Sequence, residues 1–559
     1  MEYVQNIVPV QDNLFLSALV AVIPIVFFFW ALAIRRMPAY KSGLYTLIIA
    51  IILSVAVYRM PTIQSLMAAT QGMVFGLVPI CWIIITSVFL YNITVKTGQF
   101  TIIRDSIVSI TDDRRIQALL IAFSFGAFLE GSAGFGAPVA ITASLLVGLG
   151  FNPLYAAGLC LIANTAPVAF GAIGAPVIAM EGPTGIPATA ISKMIGRQLP
   201  FISVFIPFYL ITVMTGFKRT MEVLPAIIVS GLSFALTQYF TSNFLGPELP
   251  DILSAIVSIL ALVVLLKFWK PKQTFQFQYE EVAATTLAKN ENASYSGKEI
   301  VKAWSPFLLL TVLVTIWGMP GIKDALHGTY TGSNVLLQGI NSIGSIFSFR
   351  IQVPFLHNKI INFEGETVAA FYELDLLGTA GTAIFIAAIL SKFVIKMTWK
   401  DWGKVFLETI KELKFPILTI LFVVAFAYVM NASGMIITLA LALSRTGPLF
   451  PFVAPILGWL GVFVTGSDTS SNVLFGSLQK AAAQAVGMEP VLALSANASG
   501  GVTGKMISPQ SIAVASAATG LGGKESNLLR FTIPHSLFLL FILCVLTFLQ
   551  TNILAWMVP

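Results

Sequence analysis

Phe128-Leu-Glu-Gly-Ser-Ala-Gly-Phe-Gly-Ala-Pro138 and Val464-Thr-Gly-Ser-Asp-Thr-Ser-Ser-Asn472 are too polar, and too rich in glycine, to be plain membrane-spanning helices, yet each sits inside a long apolar tract. Each is followed, after a short apolar run, by a turn at Gly150 or Gly487. The pattern predicts two re-entrant hairpins, near 116–150 and 449–487, with their polar tips deep in the membrane. Broken backbone at that depth is tolerated only where it is buried in protein or lines a watery cavity, so the tips are expected to face a pathway.

Beyond each hairpin lies a second interrupted segment, Asn164-Thr-Ala-Pro-Val-Ala-Phe-Gly171 and Asn497-Ala-Ser-Gly-Gly-Val-Thr-Gly-Lys505-Met-Ile-Ser-Pro-Gln510. Amides freed at a helix break, with the positive end of the helix dipole, suit a carboxylate. The two series align. Pro79 and Gly98 match Pro416 and Gly434, Gly131-Ser132 matches Gly466-Ser467, and Asn164, Gly171 and Pro176 fall on Asn497, Gly504 and Pro509 at a constant offset of 333. Basic residues follow the first span of copy one (Lys96, Arg104, Arg114, Arg115) but precede that of copy two (Lys396, Lys400, Lys404, Lys411, Lys414). The copies are therefore expected to enter the membrane from opposite sides, as an inverted-topology repeat with a midplane site.

Composition agrees. Of 559 residues, 57% are hydrophobic and 10% charged, where soluble chains carry about a quarter charged. The fold class expected is an all-α polytopic membrane protein with about twelve spanning helices and the two hairpins. Spans are placed near 14–34, 43–58, 71–95, 153–180, 198–215, 222–242, 250–266, 304–320, 371–391, 415–430, 489–515 and 531–555. The organisation is 1–70, N-terminal spans; 71–220, repeat one; 221–400, connecting spans with a polar cytoplasmic loop near 270–302; and 401–559, repeat two. The net charge of +7 reads as the basic bias of cytoplasmic loops, not as a nucleic-acid surface. Cys81, Cys160 and Cys544 lie in apolar runs, and His327, His357 and His535 have no partner at metal or haem spacing, so no disulfide, metal or cofactor is expected. No phosphate-binding loop precedes a helix, which argues against ATP coupling.

Charges inside a membrane mark function. Between Ile116 and Met180 the one charge is Glu130; between Phe450 and Ser516 they are Asp468, Lys480, Glu489 and Lys505. Lys480 and Glu489 are expected at interfaces. A carboxylate in an apolar surround can bind and release a proton near neutral pH. Glu130, among Phe128, Leu129, Ala133 and Phe135, is the expected proton carrier. Asp468, among the hydroxyls of Thr465, Ser467, Thr469 and Ser470, is the alternative carrier and the expected site organiser. Lys505 either pairs with a substrate carboxylate, or pairs with Asp468 or snorkels to the cytoplasmic face. Asn164, Thr165, Ser467, Thr469, Ser470, Ser471, Asn497, Ser499 and Lys505 are expected to line one site for a small organic anion.

At these residues, with Gly158-Leu-Cys-Leu-Ile-Ala-Asn164 added, the chain resembles the L-lactate permease family of bacterial plasma membranes over essentially its whole length. The resemblance implies proton-coupled uptake of L-lactate, with D-lactate and glycolate as related substrates, and no enzymatic activity. The partners expected are these substrates, protons and the lipid bilayer, with further copies of the same chain left open. Sodium coupling is the alternative, because Asn, Ser, Thr and backbone carbonyls at helix breaks also suit sodium. A channel would not need deep hairpins on both sides, and a membrane-embedded enzyme would need a histidine or acid pair near an interface, which the sequence does not offer.

Overall fold

The computed structural model describes residues 2–134, 137–277, 295–363 and 365–559. Two tip residues of the first hairpin, Phe135 and Gly136, and most of the 270–302 loop lie outside that set. Among the described residues, ten helices are long and apolar enough to cross a membrane: Leu14–Leu32, Ala39–Ala56, Thr62–Lys96, Ala188–Thr215, Leu224–Phe244, Pro250–Phe268, Gly297–Gly318, Trp399–Ser433, Met435–Thr465 and Glu525–Gln550. The bent pair Pro153–Ala163 and Val168–Thr184, at 63°, makes an eleventh. The spans leave much of their surface uncovered: only 28% of the apolar window in Gly297–Gly318 is buried by protein. Phe15, Ile52, Leu236, Leu260 and Phe541 are all more than half exposed, which a chain in water would not tolerate but lipid accepts.

The expected count of twelve differs for identifiable reasons. The tract at 371–391 begins as strand, and its helix, Ala380–Ile395, is too short to count as a span. The tract at 489–515 is two helices with a break, and one arm of the second hairpin passes as a span in its own right. The chain is also not wholly helical. Strand β1 (Tyr3–Val4) runs parallel to β3 (Ile360–Ile361), and β2 (Ser348–Gln352) runs antiparallel to β4 (Phe371–Asp375). These small sheets lie at the end of the molecule opposite the basic loops, where the Tyr3 hydroxyl donates to the carbonyls of Tyr58 and Ser433.

Nine helices frame the centre: α1 (Gly126–Ser132), α2 (Ala137–Gly148), α3 (Pro153–Ala163), α4 (Gly171–Thr184), α5 (Pro250–Phe268), α6 (Phe450–Thr465), α7 (Asp468–Val486), α8 (Pro490–Lys505) and α9 (Pro509–Ala518). A π turn at Leu119–Phe125 leads into α1, and α2 packs back on both. Likewise α7 packs back on α6. Local sequence explains the starts and stops. Asn152 and Ser508 cap α3 and α9 from just ahead of Pro153 and Pro509, whose missing amides suit the first helical position. Gly466, at φ 71°, ends α6 in the left-handed region, and the Ser467 hydroxyl then accepts from the Ser470 amide to start α7.

The interruption expected within Asn497–Gln510 is present, but it does not fall at the glycines. The helix α8 is continuous to Lys505, and the break falls at Met506–Ser508, near the end of that segment. The role of the glycines is close approach. A Cβ on Gly500 would lie 2.0 Å from the Pro455 carbonyl oxygen of α6, and one on Gly504 would lie 2.3 Å from that of Trp459. Gly500→Ala is expected to wedge α6 from α8 and destabilise by about 1–3 kcal/mol, seen as a lower melting temperature in detergent. An unchanged melt would mean that this helix contact is not tight.

Candidate functional site

A cavity of about 550 Å³ sits between the two helix breaks. Gly134 of the first hairpin and Gly466, Ser467, Asp468, Thr469 and Ser470 of the second line it, so both tips reach one space. Its mouth lies at Pro38, Tyr40 and Phe415, with the two rings stacked at 4.8 Å, on the basic end of the molecule.

Lys505 and Glu130 meet in its wall. The Lys505 Nζ donates to the Glu130 Oε1 at 2.6 Å, with the glutamate 2% and the lysine 11% exposed. Asn164, at the C-terminus of α3, donates to the Glu130 Oε2 at 3.0 Å. Gly171 presses on the same carboxylate: a Cβ there would sit 2.8 Å from Oε1. Immediately after it Ala172 and Ile173 take left-handed angles, φ 45° and 56°, before Gly174 at 72°. Two residues other than glycine in that region cost about 1–2 kcal/mol each, a strain found where backbone is shaped for function.

Asp468 opens α7, and its side chain is carried by a buried amide chain. Gln479 donates to the Asn497 Oδ1, Asn497 to the Asn472 Oδ1, and Asn472 to both the Asp468 Oδ2 and the Pro176 carbonyl. The Asp468 Oδ1 has no partner among the described residues, and Gly501 leaves room for it, since a Cβ there would fall 2.3 Å away. The positive end of α7 thus points at the cavity beside Lys505, an arrangement that favours an anion.

Of the residues expected at the site, Ser467, Thr469, Ser470, Lys505, Glu130 and Asp468 line the cavity. Asn164 borders it through Glu130, and Thr165 is fully buried beside it with its hydroxyl unpartnered among the described residues. Ser471 instead donates to the Gly458 carbonyl, Ser499 to Gln198 of the span Ala188–Thr215, and Asn497 acts through Asn472. Lys505 pairs with neither Asp468 nor solvent, and Asp468 is held by an asparagine, not by the neighbouring hydroxyls. The expected pairing is corrected in both respects: among the described residues Lys505 bonds Glu130, while Asp468 takes its hydrogen bond from Asn472. Lys480 donates to the Thr184 carbonyl and Glu489 is exposed, both outside the cavity.

The sequence reading passed over Asp251, near the start of α5. It is 1% exposed, neither carboxylate oxygen has a partner among the described residues, and it lies within electrostatic reach of Glu130 and Lys505. Gln510, in the first turn of α9, also lines the cavity, against Gly466.

Ten or eleven spans among the described residues, around an anion-suited cavity between two helix breaks, define a polytopic membrane transporter. The chain belongs to the L-lactate permease family, whose sequence model matches residues 17–554. It is 64% identical to the L-lactate permease of Bacillus subtilis, with both chains covered in full. It is 52% identical to the Glycolate permease GlcA of Escherichia coli, over 98% of each chain. Among solved structures, Neisseria gonorrhoeae MtrF, described as one of a class of antimetabolite efflux pumps, aligns over 88% of this chain and 84% of its own at 12% identity and a TM-score of 0.45, too slight a likeness to bear on the fold. The family and its spans place the chain as a multi-pass protein of the bacterial inner membrane.

Proposed function

We propose that this chain is a secondary active transporter that takes up L-lactate, and the related 2-hydroxymonocarboxylates D-lactate and glycolate, together with a proton. The names of the relatives support the substrate class. The coupling rests on one observation, the Lys505–Glu130 pair in the cavity wall. In a poorly hydrated site one cation balances one anion. While Lys505 holds ionised Glu130 the pair is neutral and its cation is closed to lactate. Lactate can take Lys505 only when Glu130 is neutralised, and the neutralising agent is a proton. One proton therefore accompanies one anion. Lys505 and the α7 amides receive the carboxylate, and the hydroxyls of Ser467, Thr469 and Ser470 receive the 2-hydroxyl. Asn164 orients Glu130, and Asn497, through Asn472, orients Asp468.

In this reading residues 71–220 and 401–559 are repeats that cross in opposite senses. The contacts of the hairpin arms support it: Ser144 of α2 donates to the Ala518 carbonyl at the end of α9, while Lys480 of α7 donates to the Thr184 carbonyl at the end of α4. Each hairpin base meets the far end of the other repeat's broken helix. The test is purified protein in liposomes with a proton or a sodium gradient imposed singly. Lactate is expected to accumulate severalfold with the proton gradient alone; accumulation driven only by sodium would sink the proposal.

A further inference from the structure

We infer that Asp251 is a proton relay, passing protons between Glu130 and the end of the molecule opposite the basic loops; this rests on the proton-coupled reading above. The cavity opens at the basic end, beside Pro38, Tyr40 and Phe415. Asp251 leads the other way. It stands one residue into α5, just after the turn Leu245–Leu249 that joins α5 to the span Leu224–Phe244, and the far ends of those two helices carry Lys218, Arg219 and Lys267.

Asp251 packs against the residue next to Glu130. A Cβ on Gly131 would fall 2.7 Å from the Asp251 Cβ, so α1 and α5 touch at the residue next to Glu130. An ionised carboxylate is strongly disfavoured where it is fully buried without a donor, and Asp251 is 1% exposed with neither oxygen partnered among the described residues. Toward the surface comes Glu248, half-buried, with Lys323 and Glu181 acting on it. Burial pushes the Glu248 carboxyl above its ordinary range, opposed by Lys323. The charged groups facing Asp251 are thus Glu130 from α1 and Lys505 from α8, with Glu181 of α4 acting on Glu248; the span Leu224–Phe244 and the π turn contribute none.

The step balances. When lactate takes Lys505, the Asp251 O–H bond breaks and an O–H bond forms on Glu130. The negative charge moves to Asp251, which is refilled from water at the Glu248 side.

The experiment compares wild type, Asp251→Asn and Asp251→Glu in liposomes, measuring lactate uptake under an imposed pH gradient and lactate counterflow without one. Asp251→Asn is expected to slow gradient-driven uptake about tenfold or more, the scale of losing a positioned proton donor, while counterflow stays within roughly twofold. Asp251→Glu is expected to restore much of the uptake. Gradient-driven uptake at the wild-type rate in Asp251→Asn overturns the relay, as does equal loss of uptake and counterflow in that variant. Failure of the wild type itself to accumulate lactate under the pH gradient overturns the proton-coupled reading instead.

Discussion

Glu130→Gln is expected to abolish uphill, pH-driven lactate accumulation while sparing counterflow. Exchange across an equilibrated membrane needs no net proton movement, so a carrier that cannot titrate still shuttles its loaded form. The glutamine keeps the shape and the Asn164 contact but releases Lys505 from its 2.6 Å ion pair. With its competitor gone, Lys505 is permanently open to the substrate carboxylate, and the half-saturation for counterflow is expected to fall. Persistence of pH-dependent uphill uptake in this variant would move the proton to Asp468.

Lys505→Met carries the other large effect, and of opposite sign. It removes the cation for which lactate and Glu130 compete. A charged hydrogen bond is worth about 1.5–3 kcal/mol, so half-saturation in counterflow is expected to rise roughly ten- to a hundredfold. Removing one member of a buried pair leaves the other uncompensated, a cost of about 3–5 kcal/mol unless the survivor takes up a proton. The double variant with Glu130→Gln removes that second problem: it is expected to melt above the single lysine variant while binding lactate no better. Wild-type half-saturation in Lys505→Met would place the substrate carboxylate elsewhere.

Much of this site was legible because charge is rare in the chain. Glu130, Asp468 and Lys505 stood out against apolar and small residues, and the structure brings all three to one cavity. Asp251 did not stand out, since Leu249-Pro250-Asp251 ahead of an apolar run reads as an acidic helix start at the membrane surface. Only tertiary packing against Gly131 shows that this start is buried. Within Asn497–Gln510 the break was legible but its position was not, because glycine serves a break and a close approach equally well and sequence alone does not say which. The break at Asn164 was read correctly, since Pro167 sits within it. The pairing of 348–352 with 371–375 depends on partners distant in the chain and leaves no local periodicity to find.

The N-terminal strand bears on how the molecule is assembled. Residues 3–4 are made more than 350 residues ahead of their partners at Ile360 and Ser433. Strand β1 must wait unpaired through most of synthesis, so this latch closes among the last events of maturation. A reporter fused directly ahead of Tyr3 would be carried into that late docking step, whereas one placed in the 270–302 loop would leave it untouched.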